Sequence, residues 1–232
     1  MIRIKVCGIT NAADARAAVD AGADALGFIF VEGTPRYIEP AAAAAIIAWL
    51  PPFVTPVGIF WDHAAGHVKA IAEQCRLDAL QFHGQEPADT LADHRLPVIK
   101  TIKLPAASTI EGMVEFRTGE GFQVLQYAKV AAAVLLDTAE RWGEGEAREP
   151  IEWRQAALIV STYRHLPRPR VILSGGLTAD NVAQAIAVVQ PYAVDVNSGV
   201  EARPGKKDPD KVRRFVAAAR TTLAKPPSEG SA

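Results

Sequence analysis

Short apolar runs rich in β-branched residues recur along the chain, separated by longer stretches in which apolar residues return every three or four positions. The runs are Ile2–Cys7, Asp24–Phe30, Val54–Phe60, Asp78–His83, Val98–Lys103, Ala132–Asp137, Arg170–Ser174 and Tyr192–Val196. Their length and Val/Ile content predict strands. The stretches Ala12–Ala21, Pro40–Leu50, Ala64–Cys75, Glu86–His94, Ile151–Leu166, Thr178–Val189 and Pro209–Ala224 predict helices, and an eighth, poorly defined helical piece falls within Ser108–Tyr127. Strand and helix alternating from end to end imply a parallel sheet with right-handed crossovers. Eight such units in roughly 225 residues predict an α/β chain folded as a single (βα)8 TIM barrel. An open doubly wound sheet usually has fewer strands, and its dinucleotide-binding form needs G-x-G-x-x-G after the first strand. Cys7-Gly8-Ile9-Thr10 stands there instead. No internal boundary is visible, so residues 1–224 are expected to form the barrel domain. The polar, Pro- and Ser-containing residues 225–232 (KPPSEGSA) are expected to be a disordered tail.

Composition narrows the classes of partner. The 232 residues carry 25 basic and 26 acidic side chains, a net charge of −1. Such a balance argues against nucleic acid or an anionic membrane as the main partner, while leaving room for a local anion site. Apolar residues at 49% are ordinary for a folded domain. Two cysteines cannot staple a domain of this size and suggest a reducing compartment. MIRIKVCGIT lacks the apolar core of a signal peptide, and Ala41–Leu50 is stopped by Pro51-Pro52, too short to span a bilayer. A cytoplasmic protein is expected.

In a (βα)8 barrel the chemistry lies at the C-terminal ends of the strands and in the loops after them. Strand parity assigns faces: Lys5 and Cys7 share the inward face of strand one, Gln81 and His83 that of strand four, Leu135 and Asp137 that of strand six, Asp195 and Asn197 that of strand eight. Cys7 reads either as a small buried hydrophobe or, beside the Lys5 cation, as a thiolate able to act as base or nucleophile. Asp137 reads either as a turn cap or as a carboxyl group of raised pKa able to donate a proton. Ser174-Gly175-Gly176 and Asn197-Ser198-Gly199 close strands seven and eight, the usual barrel phosphate site, where glycines let backbone N–H groups approach an anion. Arg36, stiffened by Pro35, suits a carboxylate bidentately, and His83 is an acid/base group or a polar contact. His63 and His67 have a ligand-like spacing but no evident third partner, so no metal is expected.

The motifs Lys5-Val-Cys-Gly-Ile-Thr10, Gly22-Ala-Asp-Ala-Leu-Gly-Phe28, Thr34-Pro-Arg-Tyr-Ile38, Val57-Gly-Ile-Phe60, Leu80-Gln-Phe-His-Gly84, Leu135-Leu-Asp-Thr138, Leu173-Ser-Gly-Gly-Leu177 and Val194-Asp-Val-Asn-Ser-Gly-Val-Glu201 follow one another in order. In that order, over roughly residues 2–222, the chain resembles the phosphoribosylanthranilate isomerases. The resemblance implies a cofactor-independent Amadori rearrangement of N-(5-phosphoribosyl)anthranilate to 1-(2-carboxyphenylamino)-1-deoxyribulose 5-phosphate in tryptophan biosynthesis. It implies Asp137 as general acid on the furanose ring oxygen and Cys7 as general base at C2. It further implies Arg36 on the anthranilate carboxylate, His83 near the aromatic ring, Asp195 as a substrate-contacting or orienting group, and Gly175, Gly176, Ser198 and Gly199 around the phosphate. The partner is then a small phosphosugar, and the protein a monomer or homodimer.

One segment departs from the family pattern. After Leu135-Leu-Asp-Thr138 the chain reads Ala139-Glu-Arg-Trp-Gly-Glu-Gly-Glu-Ala-Arg-Glu-Pro-Ile-Glu-Trp153, with Glu140, Glu144, Glu146 and Glu149 beside an anionic substrate. That departure keeps open a phosphate-binding paralogue with an altered sixth loop. Another phosphosugar isomerase or epimerase, or an aldolase using Lys100 or Lys103 of strand five, is the remaining alternative.

Overall fold

In a computed structural model of the chain, eight parallel strands close on themselves in the order β1 to β8, with β8 returning to pair with β1. The structure describes residues 1–104, 120–138, 150–166 and 169–221. The acidic part of the sixth loop, residues 139–149, and the tail 225–232 lie outside the described residues. The strands are β1 Arg3–Val6, β2 Ala25–Ile29, β3 Thr55–Phe60, β4 Ala79–Phe82, β5 Val98–Leu104, β6 Ala133–Thr138, β7 Arg170–Leu173 and β8 Ala193–Val196. The helices are α1 Ala12–Ala21, α2 Pro40–Ile47, α3 Ala65–Cys75, α4 Ala88–Leu91, α5 Glu120–Tyr127, α6 Trp153–Tyr163, α7 Val182–Val189 and α8 Pro209–Thr221. The fold is the predicted α/β (βα)8 barrel, and no helix among the described residues is long and apolar enough to cross a membrane.

Strand alternation sorts the core into two compartments. Ile4 and Val6 of β1, Leu26 and Phe28 of β2, and the corresponding residues of later strands face outward and pack with Ala15, Ala18, Val68, Val212 and Phe215 of the helices. Complete burial of Phe28, Phe60 and Phe82 favours this layer by about 2 kcal/mol for each ring. Inside the barrel the floor is apolar, with Val57, Ala79, Ile99, Ala133, Leu135, Ile172 and Ala193 in contact. The layer above it is polar: Lys5, Gln81, Thr101 and Asp195 are all buried. Cys7 packs with Ile29 and Ile59 at the top.

Helix boundaries differ from the periodicity where side chains are diverted to other work. The fourth helix, expected over Glu86–His94, is reduced to one turn, Ala88–Leu91. Glu86 is taken out of it because its carboxylate accepts from Lys100 Nζ at 2.7 Å, Asp62 N at 2.8 Å and Gly84 N at 3.2 Å. α7 begins at Val182 rather than Thr178, because Asn181 accepts from Thr178 N and donates to Gly176 O, folding those residues into a turn. The expected piece within Ser108–Tyr127 is a helix over Glu120–Tyr127. Residues 105–119, and 222–224 of the expected last helix, lie outside the described residues. After β8 come a 3-10 turn, Ser198–Val200, and a small antiparallel hairpin, β9 Glu201–Arg203 and β10 Lys206–Lys207, which strand periodicity did not predict.

Candidate active site

Closing the sheet sets Lys5 of β1 directly beside Asp195 of β8. Lys5 Nζ donates to Asp195 Oδ1 at 2.8 Å, and Ser174 Oγ donates to Asp195 Oδ2 at 3.2 Å. Both ends of this ion pair are almost wholly buried. Cys7 follows β1, its backbone N–H held by Val196 O at 2.8 Å. Its side chain is 5% exposed. Lys5 acts on the thiol in the expected direction, towards the thiolate, but it is outweighed. Burial is the largest influence and pushes the Cys7 thiol up; the Lys5 cation opposes this, and the Asp195 anion reinforces it. A cation already paired with a carboxylate presents only a fraction of its field to the sulfur.

Across the mouth, Asp137 near the end of β6 has Oδ1 accepting from Thr138 N at 2.9 Å. Its Oδ2 faces Lys103 Nζ at 3.4 Å and His83 Nε2 at 3.6 Å. Lys103 Nζ and His83 Nε2 are 2.5 Å apart. Which of the two donates follows the tautomer of His83. Lys103 thus belongs to the site, although sequence reading raised it only as an aldolase candidate. Lys100, the other aldolase candidate, faces the opposite side of β5 and is bound to Glu86 and Gly84 O. An inward Schiff-base role for Lys100 is therefore excluded. Strand parity carries the signal for both lysines.

The loops after β7 and β8 lie side by side. Gly175 has φ of +79°, a backbone conformation that other residues rarely adopt, and a Cβ there would lie 2.9 Å from Thr138 Cγ2. A Cβ on Gly199 would collide with the carbonyl oxygen of Leu177. Gly199 permits the loops after β7 and β8 to approach closely, and Gly175 lets the loop after β7 pack against the end of β6, which is how backbone amides are gathered at one point.

Arg36, expected to meet a carboxylate, already holds one. Its Nε and Nη2 donate to Glu201 Oε1 and Oε2 at 2.9 and 2.7 Å. Lys207 of β10 reaches the same carboxylate, with Nζ 3.1 Å from Oε1. Glu201 appeared in the sequence only as the end of a motif, and Lys207 was not singled out. A Pro-Gly turn followed by two lysines gives no sign of which lysine turns inward.

All nine sequence-derived candidates, Cys7, Arg36, His83, Asp137, Gly175, Gly176, Asp195, Ser198 and Gly199, line a single cleft that opens at the C-terminal end of the barrel. No group of three or more His, Cys, Asp or Glu suited to a metal occurs among the described residues. His63 and His67 stack face to face at 5.5 Å, and His63 Nδ1 accepts from Trp61 N.

Residues 4–218 match the family described as N-(5'-phosphoribosyl)anthranilate (PRA) isomerase. The enzyme of that name from Acidithiobacillus ferrooxidans is 45% identical over 225 residues, 96% of this chain and 99% of that protein. The one from Pelobacter propionicus is 42% identical over 222 residues, 96% of this chain and 97% of that protein. The crystal structure of phosphoribosyl anthranilate isomerase from Thermotoga maritima aligns with a TM-score of 0.80 at 37% identity, covering 95% of this chain and 100% of that one. A phosphoribosyl anthranilate isomerase in complex with reduced 1-(o-carboxyphenylamino)-1-deoxyribulose 5-phosphate aligns with a TM-score of 0.77 at 37% identity, covering 95% of this chain and 100% of that one. With a closed barrel, a cleft lined by every candidate residue, and similarity along nearly the whole of both chains, this protein belongs to the N-(5'-phosphoribosyl)anthranilate isomerase family.

Proposed function

We propose that the chain converts N-(5'-phosphoribosyl)anthranilate to 1-(2-carboxyphenylamino)-1-deoxyribulose 5-phosphate, with Asp137 as general acid and Cys7 as general base. Asp137 gives a proton to the furanose ring oxygen; the C1–O bond breaks and the nitrogen lone pair forms an iminium. The iminium withdraws electrons from C2, and Cys7 as thiolate removes the C2 proton. The enolamine that results takes a proton at C1 as its C2 hydroxyl becomes the ketone. Protons and electrons balance with no external oxidant or reductant, as an aldose–ketose isomerisation requires. A raised thiol pKa suits the role: fewer molecules carry the thiolate, but each thiolate is the stronger base.

The observation that supports this reading most is that Cys7 and Asp137 line one cleft together with Gly175, Gly176, Ser198 and Gly199. The glycine loops take the phosphate, Arg36 the anthranilate carboxylate, His83 the neighbourhood of the ring, and Asp195 orients Lys5 beneath the thiol. The two free, buried cysteines accord with a reducing cytoplasm. The protein works as a monomer or homodimer, which light scattering would decide.

Growth rescue of a tryptophan auxotroph lacking this isomerase tests the function, and turnover of N-(5'-phosphoribosyl)anthranilate by the purified chain tests the residues. The native chain rescues, whereas Cys7→Ala and Asp137→Asn each lose at least about 10²-fold in rate. A chain that binds the substrate without turnover is the phosphate-binding paralogue, and full activity in Cys7→Ala removes the mechanism.

A further inference from the structure

The Arg36–Glu201 pair poses a problem for the isomerase reading on which this inference rests. A guanidinium bound through two N–H groups to a buried carboxylate is neutral as a unit, and a neutral unit has little reason to attract a second carboxylate. The side chains of Arg36 and Glu201 are only 7% and 4% exposed, so water does little to screen the pair.

Lys207 changes that balance. Its side chain is fully buried, and its Nζ donates to Glu201 Oε1 at 3.1 Å, Asn197 Oδ1 at 2.9 Å and Asn197 O at 3.1 Å. Its backbone N–H donates to Asp14 Oδ2 at 2.7 Å, and Thr10 Oγ1 donates to Gly205 O at 2.6 Å, so the hairpin that carries it is tied to α1 and to the loop that precedes it. Two cationic groups therefore share one anion; burial makes the Lys207 ammonium easier to deprotonate and the Glu201 carboxylate opposes this, and while Lys207 holds its proton this side of the cleft keeps one net positive charge. The other buried pair nearby, Lys5 with Asp195, cancels internally. Of the five guanidinium N–H groups of Arg36, Glu201 takes two. Gly8 lies between the Arg36 stem and Asn197: a Cβ on it would be 3.2 Å from Arg36 Cδ and 2.7 Å from Asn197 Oδ1. The excess charge therefore sits next to the residue that follows Cys7.

We infer that Lys207 is a positioning residue for carboxylate recognition: by neutralising Glu201 from the buried side, it leaves Arg36 as the uncompensated cation that receives the carboxylate of the substrate's aromatic ring. Glu201 fixes the guanidinium in place, and Lys207 prevents that restraint from cancelling its charge. The burial cost of a lysine here is borne for the site, since an apolar side chain of similar volume would serve the fold at least as well.

The test compares two ligands, reduced 1-(o-carboxyphenylamino)-1-deoxyribulose 5-phosphate and its phenylamino counterpart lacking the carboxylate, by calorimetry on the folded native chain and variants. The native chain prefers the carboxylated ligand by roughly tenfold or more. In Lys207→Met the preference falls towards unity, more than the affinity for the phenylamino ligand falls. KM for the natural substrate rises while kcat changes less. In Lys207→Met/Glu201→Gln, Arg36 is again uncompensated and the preference returns. A preference retained in Lys207→Met, or absent from the double variant, overturns the inference. Should Lys207→Met fail to fold, Lys207→Gln, which can still donate a hydrogen bond to Glu201 without carrying charge, takes its place with the same expected loss of preference, and a retained preference there overturns the inference. Failure of the native chain to turn over N-(5'-phosphoribosyl)anthranilate would instead overturn the underlying isomerase reading.

Discussion

Lys5 Nζ and Asp195 Oδ1 lie 2.8 Å apart inside the barrel, each side chain about 95% removed from solvent, in the layer beneath the Cys7 thiol. A buried pair of this kind is weak support for a fold. Replacing both partners with apolar groups is often neutral or stabilising by about 1–4 kcal/mol, whereas removing one partner costs about 3–5 kcal/mol. Lys5→Met should therefore lower the thermal midpoint sharply, while Lys5→Met/Asp195→Leu should restore or exceed the native midpoint and still lose turnover. Native-like kcat in the double variant would assign the pair to packing alone.

The pH dependence of the reaction follows from the same pair. Burial holds the Cys7 thiol above its ordinary range, so kcat/KM should keep rising past about pH 8.5, the usual cysteine value, because the thiolate is the active form. Lys5 lowers the thiol pKa and Asp195 raises it. Lys5→Met should shift the rising limb to higher pH and Asp195→Asn to lower pH. Shifts of the same sign in both variants would contradict an electrostatic origin.

Gly27 of β2 is the floor on which the thiol rests. A Cβ at that position would lie 2.8 Å from Cys7 Sγ and 3.1 Å from Cys7 Cα, closer than atoms of that kind pack. Gly27→Ala must push the sulfur away from the reacting carbon. Sub-ångström positioning governs proton transfer, so kcat should fall by roughly 10²-fold with KM changed far less. Equal losses in both parameters would point to a general disturbance of the cleft instead.

Stability in acid should report on Glu201. Burial opposes its ionisation, but hydrogen bonds from Arg36, the Lys207 charge and the Arg36 charge prevail and hold the carboxyl below its ordinary value. A carboxyl with a lower pKa folded than unfolded adds stability above the unfolded value of about 4.3, and that stability is lost as pH falls through the folded value. The midpoint difference between the native chain and Glu201→Gln should be constant near neutrality and shrink below about pH 4. A difference independent of pH down to 3 would contradict the ionic pairing.

Much of the architecture was legible without coordinates because it rests on local rules. Eight apolar runs of period two, separated by helical periodicity, admit few topologies once parallel crossovers must be right-handed. Parity then placed Cys7, His83, Asp137 and Asp195 on inward faces, and the strand ends placed the glycines of the last two loops; all of these line the cleft. The helix contracted at Glu86 was not legible, because that side chain's partners Asp62 and Lys100 come from neighbouring strands and loops, and the start delayed to Val182 is a local turn closed by Asn181 on Thr178 and Gly176 that helical periodicity does not mark.

The order of the chain alone determined the barrel, the face each strand residue occupies and the group of residues at its mouth, since those follow from backbone geometry and residue spacing. Only the closed tertiary structure decided the state of their charges. Lys5 meets Asp195 across 190 positions of sequence, Arg36 meets Glu201 across 165, and Lys207 turns inward from a hairpin that no periodicity marks. Whether a cation activates a thiol or cancels against a carboxylate depends on distances and on excluded water, and neither exists until the sheet has closed.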